Sequence, residues 1–299
     1  MRITNNMVTE GLVNEMQQLD SQQTTLQGEV SSGLAVSQPS DNPEVYGQVV
    51  ELEGQGSQLA QYAANAATAL NLAQASSSGL NSLTQIYDQA SQTVTQASGA
   101  DAGSSQDYAD ALDQLIQQAV SVANSQYAGS YLYAGTAQGQ PPFATTTNAQ
   151  GQITAVNYVG NDSQTAIPVS ANTNIPVSTS GTTNSGLATI INNMIAARDA
   201  LNAGSSSGLA TAQTNLTSSE DVLTSAVADN GAAQLRIQSE QTQQQANATE
   251  VESSISSDTS ANLTTAITQL SQIQLAYQAA LETASKVETL SIVQFVNVA

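Results

Sequence analysis

The chain has 299 residues, of which 24 are acidic and 4 basic, giving a formal net charge of -20, and it contains neither cysteine nor histidine. That charge balance leaves no basic patch to neutralise a phosphate backbone and disfavours anionic lipid, so neither nucleic acid nor a membrane surface is an expected partner. The missing Cys and His remove thiol nucleophiles, the usual zinc sites and Ser-His-Asp triads, and charged residues at only 9%, against about 25% in an ordinary soluble domain, leave a surface made mostly of amides and hydroxyls.

The opening "MRITNNMVTEGLVNEMQQLD" has one arginine followed by frequent polar residues, so it carries no secretory signal pattern. Val8, Leu12, Met16, Leu19, Leu26 and Val30 step four and three apart, with Gln23 in the one missing place. This is the seam of a coiled-coil helix that needs a partner. "SSGLAVSQPSDNP" then stops it: Gly33, Pro39 and Pro43 break the helix, and Ser40, Asp41 or Asn42 can cap the next, with Pro43 in its first turn.

From Pro43 to about Ala97 a second helical stripe runs through Val45, Val49, Leu52, Leu59, Leu70, Leu80, Leu83, Tyr87 and Val94. "SGADAGSS" (98–105) reads as a loop, and Tyr108, Leu112, Leu115, Ile116, Ala119 and Val122 carry a further helix to about Gln126, expected to return antiparallel to the one before. Asp107, Asp110 and Asp113 lie three apart on one face of that helix. They are read as a solvated face near its N-terminus, where carboxylates suit the helix dipole, rather than as a metal site. "DNPEVYGQVVELE" fails as a calcium loop, because Pro43 and Val45 occupy ligand places and Gly47 falls one position late.

From about Ala134 the period changes. Gly and Pro punctuate short runs such as "QITAVNYV", "TAIPVSA" and "IPVST", which predict brief strands and turns to about residue 184. Helical spacing resumes at Leu187, Ile190, Ile191, Met194, Ile195 and Leu201. After "NAGSSSG" it returns at Leu209, Leu216 and Leu223 and runs through a Gln-rich stretch. The final segment places Leu263, Ala266, Ile267, Leu270, Ile273, Tyr277, Ala280, Leu281, Ala284 and Val287 on one stripe.

These elements predict a mainly α fold: long antiparallel helical rods, N- and C-terminal helices paired as a coiled coil, and a small inserted β domain. The domains expected are a terminal coiled coil (1–43 and 258–299), a helical middle domain (44–133 and 185–257) and the β domain (134–184). Tyr127, Tyr131, Tyr133 and Phe143 cluster where the rod hands over to the β insertion. No titratable partner accompanies them, so they are read as filling the corner between two domains rather than a ligand pocket. No catalytic residue, cofactor or metal ligand is assigned, and the chain is not read as an enzyme.

The pieces "MRITNNM", "SSG" (31–33), "PSDNP" (39–43), "YLYAGT" to "PPF" (131–143), "VNYVGND" (156–162) and "LAYQAALETASKVETLSIVQF" (275–295) occur in an order that resembles the flagellin superfamily, and within it the hook-filament junction family, hook-associated protein 3. Filament-forming flagellin is the near neighbour. The resemblance implies a structural subunit of the bacterial flagellum, extracellular at the hook-filament junction and exported through the flagellar channel without a cleaved signal peptide. It implies a homo-oligomeric ring, with the first hook-associated protein, flagellin and a cytoplasmic export chaperone as partners. The assembly interface would be Leu12, Met16, Leu19, Leu26 and Val30 with Leu263, Ile267, Leu270, Ile273, Tyr277, Leu281, Leu290, Ile292 and Phe295. An extracellular adhesin with the helices as its stalk is the reading of a different class.

Overall fold

The computed structural model describes residues 5–99, 102–137 and 139–296, with side chains for all of these except residues 5, 6, 8, 102 and 288–296. The chain divides into two compact units, one made of residues 1–57 and 248–299, the other of residues 58–247.

In the first unit, helix α1 (Asn5–Ser32) packs along helix α6 (Leu263–Val296). Gly33 ends α1 in the left-handed region at φ 74, its N–H bonding the Glu29 carbonyl at 2.8 Å. Glycine reaches that conformation without the strain a Cβ would bring. Next to it the two chain segments are stitched together: Ala35 N–H donates to Thr259 O at 2.7 Å, Ala261 N–H donates to Gly33 O at 2.8 Å, and Leu34 bridges Ser260 in antiparallel sense. The pair is therefore antiparallel. Asn262 caps α6 by accepting from Thr265 N–H, and Asn42 caps helix α2 (Pro43–Ser98) by accepting from the N–H groups of Glu44 and Val45, with Pro43 at the first helical position.

The second unit contains most of α2, a 3-10 turn (Ala102–Ser104), α3 (Ser105–Ala123), α4 (Gly181–Asn202) and most of α5 (Ser206–Thr259). Their apolar stripes meet in one core: Leu80, Leu83, Tyr87 and Val94 from α2, Leu112, Ile116 and Ala119 from α3, Leu187, Ile191 and Met194 from α4, and Leu209, Leu216 and Leu223 from α5. Between α3 and α4 the chain makes three separate antiparallel hairpins: β1 (Gln126–Tyr127) with β2 (Ser130–Tyr131), β3 (Phe143–Thr147) with β4 (Ile153–Tyr158), and β5 (Ala166–Pro168) with β6 (Asn174–Pro176). None is large enough to stand alone. The β5–β6 hairpin buries Val169, Ile175 and Val177 against Ala66, Ala69 and Ala73 of α2 and Ile237 of α5, a second and smaller core.

The turn between α1 and α2 is organised by Asp41, whose carboxylate accepts from the backbone N–H groups of Ser37 and Gln38, both at 3.0 Å, and from both of their side chains. The Ser37 backbone bond leads the causes that hold this carboxyl below its ordinary value of 3.8. A group whose pKa is depressed by folding contributes stability above its unfolded pKa, and that contribution is lost as pH falls through the folded one. The amide resonances of Ser37 and Gln38 are therefore expected to titrate with a midpoint below 3.8 in an NMR pH series, and Asp41→Asn abolishes that titration. A midpoint at or above the ordinary value would refute the arrangement.

Candidate assembly surface and domain junction

On α1 the seam Leu12, Met16, Leu19, Gln23, Leu26 and Val30 faces inward, and on α6 the facing line is Ala266, Leu270, Ile273, Tyr277, Ala280, Ala284 and Val287, again in alternating steps of four and three. Both lines keep the period of a left-handed coiled coil. Only Leu26 and Ala266 are buried; the other positions remain half-buried. A pair of helices covers one side of each seam residue and leaves the rest to water. The expected interface residues thus separate into two groups. Leu12, Met16, Leu19, Leu26, Val30, Leu270, Ile273 and Tyr277 line the seam, whereas Leu263, Ile267 and Leu281 stand 44%, 51% and 44% exposed beside it. Ile267 and Leu281 are two heptads apart on the same flank, with Gln274 midway. The side chains of Leu290, Ile292 and Phe295 lie outside the described residues.

The helix-to-β handover lies wholly in the second unit. Tyr133 is fully buried, its hydroxyl donating to Ser76 O at 2.9 Å and its carbonyl accepting from Asn184 Nδ2 at 2.9 Å. Burial pushes this hydroxyl far above the ordinary tyrosine range. Gly79 leaves the space that the ring end occupies, since a Cβ there would collide with the Tyr133 hydroxyl. Phe143 is also buried and meets Tyr158 in a tilted ring contact with centroids 5.6 Å apart. Tyr131 is half-buried. Tyr127 does not belong to this cluster: it is 40% exposed on the two-residue β1, next to the tight turn at Ala128 (φ 51) and Gly129 (φ 83).

Three amides and one cation, unassigned from the sequence, do the joining. Asn124, capping the end of α3, accepts from Phe143 N–H and donates to Phe143 O, each at 2.9 Å. Asn192 of α4 does the same for Val156, at 2.9 and 2.8 Å. Each amide supplies both hydrogen bonds that a neighbouring strand would give. Asn184 joins Tyr133 O, the Tyr158 hydroxyl and the Thr179 hydroxyl. Arg198, 1% exposed, donates to Asp113 Oδ1 at 2.7 Å, to Ile153 O at 2.8 Å and to Asp199, so α3, α4 and β4 share one guanidinium. The expected solvated role of Asp113 is thereby corrected: its side chain is 15% exposed and ion-paired, because the face it shares with Asp107 and Asp110 turns toward α4 at that turn of the helix. Among the described residues no group of three or more His, Cys, Asp or Glu side chains is placed to hold a metal ion.

Removing an amide clamp strands two backbone groups of a buried residue, at about 1–3 kcal/mol each. Asn192→Ala is therefore expected to lower the unfolding free energy by about 2–5 kcal/mol in urea titration followed by circular dichroism, while the exposed Asn157→Ala changes it by less than about 0.5 kcal/mol. Equal effects of the two substitutions would show that the clamp carries no weight.

Residues 3–138 match the family of the bacterial flagellin N-terminal helical region. No curated protein matches the chain. The fold is shared with a flagellar hook-associated protein of Vibrio parahaemolyticus, at TM-score 0.65 and 14% identity over 74% of this chain and 100% of that one. It is shared also with FlgL of Bacillus cereus, at TM-score 0.59 and 15% identity over 69% and 99% of the two chains. FlgL of Xanthomonas campestris aligns at TM-score 0.54 and 13% identity over 68% and 98%. The family match thus covers residues 3–138 of the 299, and the likeness to the hook-associated protein and the FlgL structures is one of fold.

Proposed function

We propose that this chain is the hook-filament junction subunit of a bacterial flagellum, acting mechanically rather than chemically. The observation that carries the reading is the unfinished burial of the α1–α6 seam, with Leu263, Ile267 and Leu281 exposed on its flank. Burying a half-exposed leucine or isoleucine against a neighbour recovers part of the about 1.5–3 kcal/mol available to a fully buried one, and the line repeats along both helices. Copies of the chain then form a ring through their terminal helices, seated on the first hook-associated protein and presenting a surface to flagellin. Export through the flagellar channel without a cleaved signal, and a cytoplasmic chaperone holding the C-terminal helix before export, belong to the same reading.

Each part of the chain then has its own role, with terminal helices for adhesion, a helical middle domain for shape, and the β segment between about 134 and 184 as an outward elaboration. The interface residues are Leu12, Met16, Leu19, Leu26, Val30, Leu263, Ile267, Leu270, Ile273, Tyr277 and Leu281, with Leu290, Ile292 and Phe295 further along α6. The structures that share the fold are a flagellar hook-associated protein and FlgL proteins, which supports a junction subunit, while the match to the flagellin N-terminal family keeps the filament subunit as the second reading.

A strain lacking the chain separates the two. Soluble flagellin in the medium and hooks without filaments under electron microscopy are expected. Hooks still bearing their junction proteins, with no flagellin released, would make this chain the filament subunit instead. Leu19→Asp or Leu270→Asp is expected to abolish filament attachment in the complemented strain while the purified variant keeps the helical circular dichroism and urea midpoint of residues 58–247. Normal filaments from either variant would remove the seam from the interface.

A further inference from the structure

The flanks of the α1–α6 seam are not electrically balanced. Helix α1 contains Glu10, Glu15, Asp20 and Glu29 and no lysine or arginine, and α6 contains Glu282, Glu288 and one cation, Lys286. Glu10, Glu15 and Asp20 are exposed. Glu15 and Asp20 sit beside the seam residues Met16 and Leu19, the positions that in coiled coils set which helix accepts which neighbour. Of the other three basic residues, Arg2 precedes α1 in the sequence, whereas Arg198 and Arg236 belong to the other unit and Arg198 is consumed by Asp113 and Asp199. With 24 acidic residues against four basic ones, a second copy brings far more negative than positive charge toward α1.

Resting on the reading of the terminal helices as the contact between copies, we propose that mobile cations decide this contact: the subunit stays apart at low ionic strength and packs against its neighbours only where salt screens α1. Packed helices lie about 8–10 Å apart, axis to axis. The screening length is about 30 Å at 0.01 M salt, longer than that distance, and about 3 Å at 1 M, much shorter. The like-charged flanks of neighbouring copies are therefore fully coupled in the first condition and decoupled in the second. Between complementary charged surfaces the dependence has the opposite sign, since added salt weakens attraction.

The test is sedimentation velocity of the purified full-length chain in a NaCl series, beside the E10Q/E15Q/D20N variant, with circular dichroism to show that both are folded. The wild-type association constant is expected to rise at least about tenfold between about 0.01 M and about 1 M salt, and the variant to associate at low salt with a much flatter dependence. The same rise in both proteins would assign the effect to apolar burial and overturn the proposal, as would association that weakens with salt. Salt-independent association in the wild type would overturn it while leaving the terminal helices as the contact. Failure of both proteins to associate at any ionic strength overturns the proposal together with the reading on which it rests.

Discussion

The antiparallel α1–α6 pair does not enclose the seam that its helices carry. Where a two-helix pair leaves such a line half-exposed, a third or fourth helix can cover what remains. In this chain the consequence is visible along nearly the whole length of α1 and α6, where Leu12, Met16, Leu19, Ile273 and Tyr277 stay half-buried although they face the partner helix. What the antiparallel pair does achieve is alignment. The backbone bonds of Ala35 to Thr259 and of Ala261 to Gly33, with the carboxylate-centred turn at Asp41, fix where one helix starts relative to the other, so the two incomplete lines run side by side. That alignment turns scattered leucines into one continuous surface.

The second unit solves the opposite problem, closing a core around strands too short to support themselves. Its means are set by composition. With few charged side chains available, amides take the polar contacts, and Asn124, Asn184 and Asn192 hold backbone groups of Phe143, Tyr133 and Val156 that lie beyond the reach of any ladder. An asparagine is neutral, so such a clamp is unaffected by pH and nearly unaffected by salt. The exception is Arg198, where one guanidinium satisfies three separate elements; a buried ion pair of this kind specifies an arrangement more than it stabilises one, and losing either partner leaves a charge stranded.

The helices were legible because their apolar residues repeat. Pro43 after Asn42, Gly33 after the last seam residue and the Gly/Pro punctuation after Ala134 mark boundaries for local steric reasons that need no knowledge of the rest of the chain. Tyr133 and Phe143 were legible for a coarser reason: large apolar rings are costly to leave in water. The clamps were not. Asn192 sits among "IINNMIA" with nothing to separate it from Asn193, and its partner is 36 residues away; Asn124 is 19 residues from Phe143, and Asp113 is 85 from Arg198. A regular run of Asp107, Asp110 and Asp113 reads as a solvated face because periodicity says which residues share a side of a helix, not what lies opposite. Tyr127 shows the same limit at shorter range: it is close in sequence to Tyr131 and Tyr133 yet stands 40% exposed beside a tight turn.

Polar groups therefore serve two ends in this chain. Inside residues 58–247 Asn124, Asn184 and Asn192 hold named backbone atoms and complete the fold. Along α1 the carboxylates of Glu10, Glu15 and Asp20 are exposed, and those of Glu15 and Asp20 flank the half-buried seam. Apolar burial is indifferent to which neighbour supplies it, so an open apolar line by itself invites any sticky partner. Like charge beside that line withholds the surface from indiscriminate contact, since a neighbour must bring enough apolar area to outweigh repulsion, and only one whose helices match the seam over many turns does so. A long, regular and individually weak stripe next to exposed carboxylates is thus a way to favour an extended, register-matched contact over an accidental one.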